Sequence, residues 1–295
     1  MSFILGLIIG SFCNVCIHRI PLGENIVVPR SRCPNCRGLI RAYDNIPLLS
    51  FLFLKGQCRS CGHRISWQYP VVELLTGLLF ALTVLRFGVT WHTVLLLAFV
   101  TALVIVTFID LEHQIVPDVI TLPGIAIALV WSVLTYFKSV LAFFSSLLYN
   151  LPAYFHLVFT DPSITIKRAL IFFLSAAGSQ SGFLLPQPFQ AFLGIIVGGG
   201  LLYLVAVASR GGMGGGDIKL TAMIGALLGW RLVLLTIFLG TLFGSLIALP
   251  LLISGKKGRK DPMPFGPFLA LGGVLALFWG NEIIVGYFRL FQGGL

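Results

Sequence analysis

Charge is scarce in this chain. Of its 295 residues only 10% are Asp, Glu, Lys or Arg, and only ten are acidic. Soluble domains carry about 25% charged residues, so an ordinary water-soluble globule is excluded. The sequence also lacks a G-x-S-x-G nucleophile elbow, an H-E-x-x-H pair and a Walker loop. Those gaps weigh against serine-protease and metalloprotease readings. No internal repeat is visible.

What is abundant is apolar length. Hydrophobic residues make up 57% of the chain and the mean hydropathy is +0.98. Repeated apolar stretches of about 18 to 25 residues read as membrane-spanning helices. The opening stretch MSFILGLIIGSFCNVCI has no basic segment before it and no small-residue cleavage site after it, so it reads as a retained first helix. The fold class expected is an all-α polytopic membrane protein of about eight transmembrane helices. These fall near 2–18, 69–87, 92–110, 118–137, 189–209, 217–230, 231–254 and 266–290. The sixth is short for a bilayer, and its alternative is a half-helix or re-entrant segment.

The net charge is +10, and 14 of the 20 Lys and Arg residues lie in 19–64, at Arg210 and Lys219, or in the run GKKGRK beginning at 255. A basic excess beside helix ends marks the cytoplasmic side, which places these three segments inside and the N-terminus outside. Anionic lipid headgroups are the simplest partner for such loops, with no nucleic acid required. The organisation expected is a first helix (1–18), a cytoplasmic subdomain (19–68), and helices two to four (69–137). An external insert (138–188), interfacial or partly membrane-embedded and interrupted at Pro152, precedes helices five to eight (189–295).

Four of the six cysteines form two C-x-x-C units, Cys33 with Cys36 and Cys58 with Cys61. That pattern suits four thiolates arranged around zinc, as in a zinc ribbon. A closed four-thiolate site leaves no place for a reacting water, so the metal would be structural. Disulfides are disfavoured in a reducing compartment, and a redox dithiol is the lesser alternative. His63 is a spare ligand that four cysteines make unnecessary. Cys13 and Cys16, inside the first helix, read as small buried packing residues.

Six of the ten acids fall in or beside apolar segments: Glu73, Asp110, Glu112, Asp118, Asp217 and Glu282. A carboxylate at membrane depth costs a few kcal/mol, about 2.5 or more, so each is a functional candidate. Asp110 closes the third span and Asp217 opens the sixth, both at the cytoplasmic face. Two such acids around one water would share a proton and could perform aspartic-protease chemistry. Two unrelated helix-end carboxylates would occupy the same positions. The glycines of GGMGGGD would let a substrate backbone approach Asp217, or would simply form a loop entering a helix. Asp118, after Pro117, reads as an N-terminal cap. Glu112 is expected to face water, and Glu282 lies at the outer end.

With these elements in order, the sequence resembles the type IV prepilin peptidases, also called leader peptidase/N-methyltransferases. The resemblance rests on GLIIGSFCNVCIHRIP (6–21), the paired C-x-x-C units and SWQYPVVELLTGLLF (66–80). It continues through FIDLEHQIVPDVITLP (108–123), GMGGGDIKLTAMIGALLGW (212–230) and MPFGPFLALGG (263–273). It implies a G-x-G-D intramembrane aspartyl protease with Asp110 and Asp217 as the catalytic pair. The implied substrate is a prepilin or pseudopilin, cut after a glycine at the membrane boundary. The implied location is the bacterial cytoplasmic (inner) membrane, with the catalytic face cytoplasmic. The long form also implies methylation of the new N-terminus from S-adenosyl-L-methionine. No glycine-rich cofactor loop is present, and Glu73 is a candidate for that second site by position alone. The 138–188 insert is longer than the family needs. A peptidase without methyl transfer is one alternative, and an ion-coupled transporter is the competing class.

Overall fold

A computed structural model describes residues 1–28, 30–33, 35–160, 188–209, 213–255 and 263–292. The described residues form nine α-helices and no strand, with two isolated β-bridges in the cysteine-rich segment. These are α1 (Ser2–Arg19), α2 (Leu49–Phe53), α3 (Gln68–Phe87), α4 (Trp91–His113) and α5 (Asp118–Thr160). They continue as α6 (Pro188–Ala208), α7 (Gly215–Leu228), α8 (Trp230–Ile253) and α9 (Gly266–Gln292).

Seven of these, all but α2 and α7, contain a stretch long and apolar enough to cross a bilayer. The chain is a multi-pass membrane protein. Large side chains such as Ile8, Leu85, Val94, Phe238 and Ile253 are exposed on the helices, as lipid-facing residues should be. The interior is built on α4, whose Leu96, Val100, Leu103, Val106 and Ile109 are all but inaccessible. Leu220 and Ile224 of α7 and Leu269 and Leu277 of α9 belong to the same core.

The eighth expected span, α7, is different in kind. Its 14 residues extend about 21 Å, short of the roughly 30 Å of hydrocarbon. Ten of them are buried, with α5, α6, α8 and α9 packed around it. It is a short core helix wrapped by longer ones, which explains why its apolar run is brief and lacks a polar face. Gly229 alone joins it to α8, at a φ of 82° that glycine adopts without strain.

Close backbone approach replaces hydrophobic drive between helices in lipid. In α1, a Cβ on Gly6 would lie 2.7 Å from Phe80 Cβ, and one on Gly10 would lie 2.7 Å from Glu73 Cα. In α6, a Cβ on Gly194 would lie 2.0 Å from the Gly225 carbonyl oxygen of α7. The buried threonines return their hydroxyls to the preceding turn, as Thr76 does to the Val72 carbonyl and Thr236 to that of Leu232. Among the described residues no side-chain polar atom wholly shut off from solvent lacks a partner.

Helix α5 continues without a break through Pro152 to Thr160. Its 43 residues would reach about 65 Å, twice the hydrocarbon thickness. Pro152, which interrupts the apolar run in the sequence, does not end the helix. The rest of the 138–188 insert, Arg210 and the basic run at 256–260 lie outside the described residues.

Candidate functional site

Helices α4, α5, α7 and α9 bring their ends together at one end of the bundle. Asp110 lies on the last turn of α4 and is 4% exposed. The helix closes at Gln114, whose left-handed backbone (φ 55°) lets its N–H donate to the Asp110 carbonyl at 2.9 Å. The next residues turn the chain so that Pro117 and Asp118 start α5.

Asp217 enters from the other side. Helix α7 begins at Gly215, so Asp217 sits in its first turn and is 9% exposed. The positive end of a helix favours an anion there. Gly216 packs against the loop after α4: a Cβ would fall 2.7 Å from Val116 Cβ. Only glycine allows this contact, which brings the start of α7 against the loop that follows Asp110. Lys219 secures the same junction by donating to both Asp118 oxygens, at 2.7 and 2.8 Å. Asp118 does open α5, but its carboxylate is engaged by this lysine from α7.

A third element completes the arrangement. The Gly266 N–H, at the start of α9, donates to Asp110 Oδ2 at 2.9 Å. A Cβ on Gly266 would lie 2.8 Å from that same oxygen. Sequence reasoning missed Gly266; the signal was the Gly-Pro pair opening the last helix, where a bare N–H group needs an acceptor. The Asp217 carboxylate has no hydrogen-bond partner among the described residues and stands beside the open backbone of Gly214. The two acids thus differ: one held by a backbone donor, the other free to meet a ligand.

The cysteines converge in the segment between α1 and α3. The Sγ atoms of Cys33, Cys36, Cys58 and Cys61 all lie within 4.8 Å of one another, and Cys33 to Cys61 is 3.8 Å. Four sulfurs around zinc at about 2.3 Å would be spaced about 3.8 Å apart, so the donor set fits that ion. Two matching turns present them: the Cys33 N–H donates to the Gly38 carbonyl and the Cys58 N–H to that of His63. His63 therefore contributes backbone to the turn. The His63 N–H draws the Cys61 thiol down to about 6. The Gly38 N–H favours a Cys36 thiolate, but its three neighbouring thiols outweigh it and push Cys36 up to about 11. A divalent cation would let all four ionise together. Arg59 braces the cluster by a two-pronged pair with Asp44 and lies over the Tyr43 ring.

The other acids separate. Glu73, on α3, is buried at the same end and accepts the Leu48 N–H at 2.8 Å. Glu112 is exposed beside His113. Glu282 pairs with Arg86 of α3 at the opposite end, where an α9 carboxylate finds its cation. Cys13 and Cys16 are buried among core residues.

Comparison with known proteins adds the following. The profile of the Bacterial Peptidase A24 N-terminal domain matches residues 4–87, and that of the Type IV leader peptidase family matches residues 160–249. The chain is 35% identical to a prepilin leader peptidase/N-methyltransferase of Bacillus subtilis (strain 168), covering 99% of this chain and 98% of that protein. It is 34% identical to the protein of that name from Aeromonas hydrophila, over 99% and 94% of the two chains. The Pseudomonas aeruginosa protein of that name is 33% identical, over 98% and 92%. No solved structure matches the chain.

Proposed function

The chain belongs to the prepilin leader peptidase/N-methyltransferase family, and from that premise we propose that it removes the basic leader of type IV prepilins or pseudopilins with Asp110 and Asp217 as its catalytic pair. The single observation that carries this reading is the meeting of the α4 end, the G-x-G-D start of α7 and the Gly266 N–H at one buried corner. One water between the acids would be the nucleophile. Asp110, holding the Gly266 donor, suits the ionised role and takes the proton from that water. Asp217 suits the protonated role and polarises the scissile carbonyl. The peptide bond then breaks, and the proton on Asp110 passes to the leaving amine.

The new N-terminal amine is the group to be methylated. S-adenosylmethionine, when bound, would supply an electrophilic methyl group to that amine. Zinc held by Cys33, Cys36, Cys58 and Cys61 is structural in this reading. In this reading this end of the molecule faces the cytoplasm at the inner membrane, against anionic headgroups, and the basic excess in the sequence supports that orientation. The chain then divides as a first helix (1–18), a zinc subdomain (19–68), a part bearing Asp110 (69–137), an external insert (138–188) and a G-x-G-D part (189–295).

The test is direct. Asp110→Asn and Asp217→Asn should each lower leader removal from a synthetic prepilin by about 10³-fold or more, as loss of one member of a cooperating pair does. Both variants should accumulate in the membrane at the wild-type level. Normal processing by either would overturn the assignment.

A further inference from the structure

A cavity of about 480 Å³ lies between the cysteine cluster and the ends of α1 and α3. That volume is in the range of about 300 to 1,000 Å³ typical of small-molecule sites. Neither the aspartate pair nor the thiol cluster accounts for it. Glu73 lines it while being 7% exposed, and its carboxylate accepts the Leu48 N–H. Leu48 adopts a φ of 60°, a conformation costly for a branched side chain. The residue that donates to this carboxylate therefore holds an unfavourable backbone conformation.

The wall chemistry is mixed. Glu73, Glu112 and the Arg59-paired Asp44 are three of only ten acids in a chain of net charge +10. Arg32 and Arg64 supply cations beside the Asp44-paired Arg59, Phe51 and Tyr69 supply aromatic surface, and Cys33 and Cys58 join the wall to the thiol cluster. A ligand matching all of these carries positive charge, a carboxylate and a flat ring system. Glu112 follows Asp110 by two residues on α4, so the cavity adjoins the segment that ends in the proposed catalytic acid.

We propose that this cavity binds S-adenosylmethionine, with Glu73 and Glu112 facing its cationic centres, Arg32 its carboxylate, and Phe51 and Tyr69 its adenine. The proposal rests on the N-methyltransferase reading above and assigns the donor to a place within it. It also gives the cysteine subdomain a purpose, because a metal-held wall keeps the cavity open. An amine released at the Asp110 corner has a short path to a donor held there.

The experiment uses the full-length, zinc-loaded protein in lipid nanodiscs. Tritiated S-adenosylmethionine is crosslinked to it by ultraviolet light and the labelled peptide is mapped. Binding of S-adenosylhomocysteine is measured by calorimetry for wild type and Glu73→Gln. Label within residues 32–73 or at Glu112, with binding weakened at least tenfold in the variant, is the expected result. Label elsewhere, or equal binding by Glu73→Gln, overturns the cavity assignment and leaves the peptidase reading standing. A wild-type protein that removes leaders but binds neither compound overturns both methyl transfer and this site. If Glu73→Gln loses its zinc and misfolds, the crosslink map of the wild type decides alone.

Discussion

At the scale of single residues, two glycines and one lysine do as much to define the corner as the aspartates themselves. Gly266 presents its N–H to Asp110, and an added methyl group would meet the accepting oxygen at 2.8 Å. Gly266→Ala should therefore lower leader removal at least about tenfold, in the manner of a displaced catalytic group, without reducing the amount of protein in the membrane. A synthetic-prepilin time course against an immunoblot checks it. Lys219 is a contrast. Its pair with Asp118 is about half-exposed, so Lys219→Ala should cost no more than about 1 kcal/mol. A thermal melt of the detergent-purified protein should show a shift of only a few degrees.

At the scale of elements, α7 is held by contact too close for side chains. Gly194 of α6 and Gly225 of α7 approach so that a Cβ on either would lie 2.0 or 2.1 Å from the other's carbonyl oxygen. Gly194→Val should part these helices and displace Asp217 with them. The expected outcome is loss of both stable accumulation and cleavage, read by protease sensitivity of the membrane fraction. Gly200, on the same helix with open space around it, should tolerate alanine. The cysteine element makes a separate prediction. Purified protein should carry about one zinc per chain by mass spectrometry of metals, and Cys33→Ser with Cys58→Ser should carry none. Because Cys33 lines the cavity above α3, that double variant should also lose S-adenosylhomocysteine binding.

At the scale of the whole molecule, the helices put the aspartates, the thiols and the cavity at one end. At the other are the Arg86–Glu282 pair and the exposed Val89 between α3 and α4. The basic loops predict which end faces the cytoplasm. Val89→Cys should react with an impermeant maleimide in intact cells, whereas the six native cysteines should not. Labelling of the wild type under those conditions would reverse the proposed orientation.

Much of this was legible before any coordinates. Apolar length defines the long spans because a bilayer demands roughly 20 such residues whatever their neighbours. The paired C-x-x-C units declare a four-thiolate cluster because the ligand spacing is local. Asp110 and Asp217 stand out because an acid in an apolar run is costly. What the sequence could not decide depends on contacts between segments far apart in the chain. The 14-residue α7 reads like a weak span until the surrounding helices show it to be a buried core element. Asp118 reads as a cap until Lys219, about a hundred positions later, claims its carboxylate. The Gly-Pro pair at Gly266 marks only a helix start and Leu48 has no signal of its own, since a backbone N–H acquires meaning only from the oxygen brought to it. Composition and spacing determine which elements form; only the packing of their ends determines which groups meet.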